Sequence, residues 1–349
     1  MPERGLLLRL NRLPFLKPRE RILLAHRLES ADALEELSPL DFARELGHPV
    51  PFTRDYLMEG TFDLERDREL LERGDVSLLS FFDEEYPPRL RTIYDPPLLL
   101  FFRGNRDRLT GTNTIALVGT RTPEAEALAA ARSIAAGAAG AGCTVISGLA
   151  RGIDGAAHRG ALEITGGRTV AVLGSGIDVL YPPQHRPLAR EILVAGGALV
   201  SEYSPGTPVR KQQFPQRNRI IAGMSGAVMV VQAPRDSGAL ITSNFALSED
   251  RPVLLHPVGV GSDPSREGTQ RLAEEGAPVY ESWSALERGE NWPPPAPELE
   301  SVDETLAEWG APGSAGRRRR SPLRRRGRER RSGQALLSLF LGDDEELET

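Results

Sequence analysis

The chain has 349 residues, of which 40% are apolar, and it carries a formal net charge of −6. This length is sufficient for two or three domains, while the lack of a long uncharged apolar stretch or of a cleavage site near the N-terminus argues against a membrane span and a secretory signal. The single cysteine, Cys143, excludes an intramolecular disulfide and a multi-cysteine metal site, and we expect it to pack beside a strand in a reducing cytoplasm.

The first part of the chain, residues 1–75, has the periodicity of short helices. Apolar residues recur every three or four positions in 17–30, 38–46 and 62–74, and Ser38 and Asp63 are suitable helix starts. This pattern predicts a small helical domain without visible chemistry. Residues 76–110 differ, because prolines interrupt two apolar runs, and we expect this stretch to lie extended against the next domain.

From Thr114 to about Trp283, short apolar runs alternate with Ala-rich or amphipathic stretches. Near-continuous apolar strands separated by crossover helices predict a parallel sheet covered on both faces, in an α/β, Rossmann-like, three-layer domain that spans 76–288. The predicted strands are TIALVG, CTVISG, TVAVLG, ALVSEY, AVMVVQ and PVLLHP.

The remaining residues, 289–349, are rich in proline and then in arginine, and their composition predicts a disordered tail. Residues 311–349 contain ten arginines and six acidic residues, so they carry +4 and the first 310 residues carry −10. Any polyanion site in the folded part must therefore be a local patch.

Ligands of such sheets bind at the carboxyl ends of the strands, and the loops predicted there combine glycine or serine with arginine. After the first strand, Gly119 allows a tight turn, and Arg121 lies where a helix N-terminus favours an anion. The segment lacks the G-x-G-x-x-G pattern of dinucleotide-binding proteins. After the second strand, Asp154 and His158 offer a catalytic or metal-binding pair, but capping and packing of the next helix is the stronger explanation.

The segment FPQRNRIIAGMS, residues 214–225, is the strongest signal, because two arginines flank an amide directly before an apolar run. Arginine clasps phosphates with two parallel hydrogen bonds, although a surface salt bridge is the alternative for each side chain. Lys211 ahead of Phe214 suits single-stranded nucleic acid, with a cation for phosphate and a ring for a base, but Phe214 is equally suited to the core.

No loop supplies a nucleophile beside a base, so we predict a site that holds phosphates without attacking them, with no metal and no cofactor. The candidate nucleic-acid-binding residues are Gly119, Arg121, Ser147, Gly148, Arg151, Gly174, Lys211, Phe214, Arg217, Asn218, Arg219, Ser237, Gly238 and Thr242.

Several motifs in order resemble the DNA-processing protein family DprA, also called Smf. They are LVGTR, VISGLARGIDGAAHRGAL, TVAVLGSGIDVLYP, SEYSPG, FPQRNRIIAGMS, SGALIT and GTQRLAEEGAPV, preceded by YPPRLRTIYDPPLLLFFRG. The resemblance implies a SAM-like helical domain at 1–75 and a cytoplasmic homodimer that binds single-stranded DNA without catalysis. It also implies that the protein protects incoming DNA in natural transformation (competence) and helps load the RecA recombinase for DNA recombination. The implied pocket contains Arg121, Ser147, Gly148, Lys211 and the segment 214–225.

The chain departs from the family in two places. The sixth predicted strand ends in LLHPVGVG in place of an Ala-Val-Pro-Gly turn, and 289–349 cannot form the winged helix of many members.

Two other functions stay open. The first is a Rossmann-like enzyme resembling nucleotide phosphoribohydrolases, although 233–239 lacks their Pro-Gly-Gly-x-Gly-Thr loop. The second is a non-catalytic adaptor with a vestigial pocket, in which the arginine-rich tail and the dimer surface recruit the partners.

Overall fold

The computed structural model describes residues 1–50, 64–290 and 292–310. The predicted helix start Asp63 and the tail beyond 310 lie outside these residues. Within them, one mixed sheet has the strand order β1-β2-β6-β5-β4-β3-β7-β8. The strands are β1 Ser77–Ser80, β2 Leu99–Gly104, β3 Thr114–Val118, β4 Thr144–Ser147, β5 Thr169–Val172, β6 Ala198–Ser201, β7 Ala227–Val230 and β8 Val253–Leu255.

The six predicted strands are β3 to β8, and they pair in parallel, so the Rossmann-like prediction is confirmed. Every residue of β3, β4, β5 and β6 is buried, which explains why these strands read as continuous apolar runs. The segment 76–110 contributes β1 and β2, which pair antiparallel and extend the sheet beyond β6.

Helices cover both faces of the sheet. The helices α8, α9 and α10 lie on one face, whereas α11 and α12 lie on the other. Gly160 allows α9 to approach α8 closely, because a Cβ at this position would collide with the backbone of Arg132. The helices of this part are α6 Pro88–Arg91, α7 Asp107–Thr110, α8 Ala125–Gly140, α9 Ile153–Leu162, α10 Arg186–Val194, α11 Gln213–Met224, α12 Gly238–Ser248, α13 Glu267–Glu274 and α14 Trp283–Gly289.

The N-terminal part is helical, as predicted, and it contacts the carboxyl end of β6. Ser38 caps α4, since its hydroxyl accepts a hydrogen bond from the Asp41 amide at 3.2 Å. The Asn11 amide donates to the Glu202 carbonyl and the Ser204 hydroxyl, both at 3.1 Å. The helices are α1 Arg4–Arg12, α2 Pro18–Arg27, α3 Ala31–Glu36, α4 Pro39–Leu46 and α5, residues 64–72.

Residues 292–310 form a strap, and the prediction that 289–349 is disordered is wrong for this part. The Trp292 indole donates to the Asn113 side chain at 2.7 Å, and the Arg89 guanidinium donates to the Pro294 carbonyl at 2.7 Å. The strap ends in α15, Val302–Gly310, where Trp309 packs on Phe81 with ring centroids 5.8 Å apart. A Pro-rich segment that cannot build its own core is ordered here because it uses the surface of the main domain.

Candidate nucleic-acid interface

The candidate interface lies at the carboxyl ends of the parallel strands. Because β3 has β4 on one side and β7 on the other, the strand order reverses there, and this reversal opens a crevice between the loops. The predicted residues lie at the carboxyl ends of these strands, in the loops that follow β3 to β7, and in the helices α11 and α12.

An aromatic ledge, which we define as Tyr181, Phe214 and Arg121, stands at this edge. The Tyr181 and Phe214 ring centroids are 5.6 Å apart with an interplanar angle of 43°, and the Arg121 guanidinium carbon lies 5.6 Å from the Phe214 centroid. Phe214 is half-buried and rests on Gly174, where a Cβ would lie 2.9 Å from the ring. Phe214 thus contacts Gly174, Tyr181 and Arg121, and the rest of its ring remains partly exposed. Tyr181 is absent from the predicted site residues, and the signal for it was its place in a loop after β5.

Three of the predicted cations at this edge are exposed. Arg121 follows β3, Arg151 follows β4 and Lys211 precedes α11. None of the three side chains forms a hydrogen bond or an ion pair with another residue that the structure describes. They are therefore available to an external anion.

Arg217, by contrast, is buried, with 4% of its surface exposed. Its guanidinium donates to the Gly148 carbonyl at 2.9 Å and to the Val172 carbonyl, so it joins the carboxyl ends of β4 and β5. Burial lowers the pKa of Arg217 to about 10, against the opposing charge of Asp154. Gly148 is required here, because a Cβ would collide with this guanidinium.

Arg219 points away from Arg217, so the expectation that the whole segment 214–225 lies in the pocket is wrong for Arg219. The segment 214–225 is largely inside α11, and residues two apart in a helix diverge by about 200°. Arg219 forms an ion pair with Glu202, where both side chains are nearly buried, close to the N-terminal helical domain. Although burial disfavours its charge, Glu202 raises the pKa of Arg219.

The loop after β4 is held by internal hydrogen bonds. The Ser147 hydroxyl is buried and donates to the Leu117 carbonyl at 2.7 Å. The Asp154 carboxylate accepts from the Gly148 and Ala150 amides at 3.1 and 3.4 Å, and burial raises its pKa. Asp154 thus closes this loop from the first turn of α9, which explains it without catalysis. Leu149 has a positive φ of 59°, which is uncommon outside glycine and marks a constrained loop.

The remaining predicted residues surround the start of α12. Asn218 donates to the Gly238 carbonyl at 3.2 Å, and the Ser237 hydroxyl accepts from the Ala239 amide at 3.3 Å, as an N-cap. Gly238 is exposed, whereas Thr242 lies on the buried side of α12 and is only 1% exposed. Gly119 lies against Ile153, where a Cβ would find no room.

Two residues with reactive side chains lie in the core. His158 is fully buried, and its Nδ1 lies 2.7 Å from the Thr169 hydroxyl, which itself donates to the Val145 carbonyl. Burial lowers the pKa of His158 to about 3, so the ring is neutral. Cys143 is also fully buried, as predicted, and burial raises the pKa of its thiol.

Similarity to known proteins identifies the family of this chain. Residues 77–288 match the family model of DNA recombination-mediator protein A. This match covers more than half of the chain. The protein belongs to that family, which is the DprA/Smf family.

Curated relatives agree with this assignment. The chain is 39% identical to protein Smf of Escherichia coli over 232 residues, which cover 65% of this chain and 61% of the relative. It is 39% identical to DNA processing protein DprA of Streptococcus pneumoniae over 203 residues, which cover 58% of this chain and 70% of the relative. The match with E. coli Smf thus spans less than two thirds of that protein.

Solved DprA structures show the same fold. The S. pneumoniae DprA structure matches with a TM-score of 0.68 and 32% identity, and it covers 83% of this chain and 99% of its own. The Helicobacter pylori DprA structure, which concerns a unique single-stranded DNA binding mode, matches with a TM-score of 0.52 and 26% identity over 58% of this chain and 89% of its own. Among the described residues of our DprA-family chain, no helix is long and apolar enough to cross a membrane.

Proposed function

We propose that the aromatic ledge and its neighbouring cations bind single-stranded DNA. The observation that carries this proposal is the exposed Arg121 beside the partly exposed ring of Phe214, with the guanidinium carbon 5.6 Å from the ring centroid. Unpaired bases offer π-faces to such rings, and the adjacent phosphates attract a cation. In duplex DNA the bases are stacked inside, so the ring has no partner there.

The distribution of charge supports the same function. The first 310 residues carry a net charge of −10. Three cationic side chains at the carboxyl edge of the sheet nevertheless form no ion pair with described residues, namely Arg121, Arg151 and Lys211. A cationic patch on an acidic body restricts polyanion binding to this edge. The H. pylori relative, whose structure concerns single-stranded DNA binding, supports this class of ligand.

The biological role that we propose follows from family membership. It is the protection of single-stranded DNA during DNA uptake and the loading of RecA recombinase onto it, carried out by a homodimer in the cytoplasm. We propose binding without catalysis, since Ser147, Asp154 and His158 already hold hydrogen bonds inside the fold. RecA loading is tested by measuring whether the chain accelerates RecA filament formation on single strands coated with a single-strand-binding protein.

The binding site is tested with Arg121→Ala and with Arg288→Ala as the matched control. Arg288 is also exposed, but it lies on α14, which packs against the C-terminal half of α8 near the amino ends of the strands. We expect Arg121→Ala to weaken binding to single-stranded oligonucleotides of every sequence by about tenfold at low salt. The slope of log affinity against log salt should become shallower by about 0.7 for the lost phosphate contact. Equal affinities of the two variants would contradict the proposed site.

A further inference from the structure

Tyr181 is a large aromatic side chain without a packing role that accounts for its position. It is 45% exposed, and its hydroxyl forms no hydrogen bond with the residues that the structure describes. Its ring lies beside that of Phe214, tilted by 43°, so the two rings present separate faces. A tyrosine that is half open to solvent next to a candidate DNA-binding ring provides apolar contact area to a ligand.

The loop that carries Tyr181 is fixed to the loop after β4. His185 ends the short 3-10 helix Pro183–His185, is 7% exposed, and donates from Nδ1 to the Leu149 carbonyl at 2.8 Å. The carbonyl can only accept, so Nδ1 carries the hydrogen. Gly155 leaves room for the imidazole, because a Cβ there would lie 2.8 Å from His185 Cε1. The position of Tyr181 is thereby set before any ligand arrives, which reduces the entropy cost of binding.

We propose that Tyr181 is a second base-stacking residue, which takes the nucleobase next to the one on Phe214, and that His185 is its positioning residue. This inference rests on the proposed function, since it assumes a single strand at the ledge. The ligand is the π-face of an unpaired base and not the phosphate, because the tyrosine carries no charge and its nearest charged neighbour on the ledge, Arg121, sits over Phe214.

The test compares two oligonucleotides of equal length, one with bases and one built of abasic units that keep the phosphates. We expect Tyr181→Ala to lose about tenfold in affinity for the strand with bases. On the abasic strand the loss should fall below twofold, and Tyr181→Phe should bind both strands as the parent chain does. An unchanged affinity of Tyr181→Ala for the strand with bases, or an equal loss on both strands, would overturn the inference.

Arg121→Ala separates this inference from the proposed function. It should weaken binding to both strands, because it removes a phosphate contact. If it weakens neither, the proposed site itself fails, whatever Tyr181→Ala does. For His185, we expect weaker binding of the strand with bases by His185→Ala and recovery by His185→Asn, whose amide places a donor near Nδ1. Equal binding by His185→Ala and the parent chain would remove His185 from the inference.

Discussion

At the scale of single residues, Arg217 and Arg219 show how position in a helix decides the role of a side chain. The Arg217 guanidinium donates hydrogen bonds to the Gly148 and Val172 carbonyls. Arg219 instead forms an ion pair with Glu202, beside the helical domain. The two arginines are close together along the chain, but the motif does not reveal that α11 begins before them, at Gln213. Their side chains therefore point in different directions. Both side chains contribute to the fold, whereas Arg121 and Arg151 are exposed at the candidate edge.

Arg217→Ala is therefore expected to act on stability. The substitution leaves two carbonyl oxygens and the Asp154 carboxylate without their buried partner, which costs about 3 kcal/mol of unfolding free energy. Urea unfolding measures this loss, and Arg288→Ala, an exposed control, should stay within about 0.5 kcal/mol of the parent chain. An Arg217→Ala chain of full stability would show that the guanidinium does not join the strands.

His158 predicts a pH dependence of stability. Its pKa is about 3 in the folded chain and 6.5 in the unfolded one, because burial disfavours the charged ring. As the pH falls below 6.5, only the unfolded state gains the proton, so the folded state loses stability down to about pH 3. From pH 7 to pH 5, the parent chain should lose about 2 kcal/mol more than His158→Asn, which cannot take up a proton. Parallel curves from urea unfolding of the two chains would contradict this assignment.

At the scale of elements, the strap 292–310 ties the end of the described chain to its beginning. Trp309 of α15 lies between Phe81, directly after β1, and the Arg19 guanidinium of α2, whose carbon is 4.3 Å from a Trp309 ring. Leu306, one turn earlier, is 4% exposed. The strap thus connects the sheet with the helical domain through aromatic and cation–π contacts.

Trp309→Ala should loosen α15 without affecting the sheet. We expect the amides of α15 to exchange hydrogen at least tenfold faster, while those of β3 to β7 keep their protection, because the lost contacts belong to the strap. Hydrogen exchange resolves the two regions. Leu299→Ala is the control on the same strap, since Leu299 is 47% exposed and should change nothing. Unchanged protection of α15 in Trp309→Ala would show that the tryptophan does not hold it.

At the scale of the whole molecule, the features that could be predicted are those that depend on residues close together in the sequence. The six parallel strands are visible because burial on both faces produces continuous apolar runs. The edge that holds the site follows from strand topology alone. Contacts between distant segments were not predictable, since the strap, the Glu202 to Arg219 pair and the Tyr181 to Phe214 contact depend on how the elements pack. Ser147 and Thr242 are buried, and their burial depends on neighbours far along the chain, which the local sequence does not reveal.

The distinction between a pocket and a tail also belongs to the whole molecule. Residues 311–349 carry +4, and in the adaptor alternative they supply the nucleic-acid contact. A chain that ends at residue 310 keeps the strap and all exposed cations of the candidate edge. We expect this chain to retain preferential binding of single strands, with a shallower dependence on salt as the arginines of the tail are removed.

The most direct test of the central claim is a titration of the full chain and the chain ending at 310 with single-stranded and duplex oligonucleotides of equal length, at several salt concentrations. Because bases are open to Phe214 only in a single strand, we predict that both chains bind the single strand at least about tenfold more tightly than the duplex. Equal affinity for the two forms of DNA, or loss of all binding on removal of residues 311–349, would contradict the account.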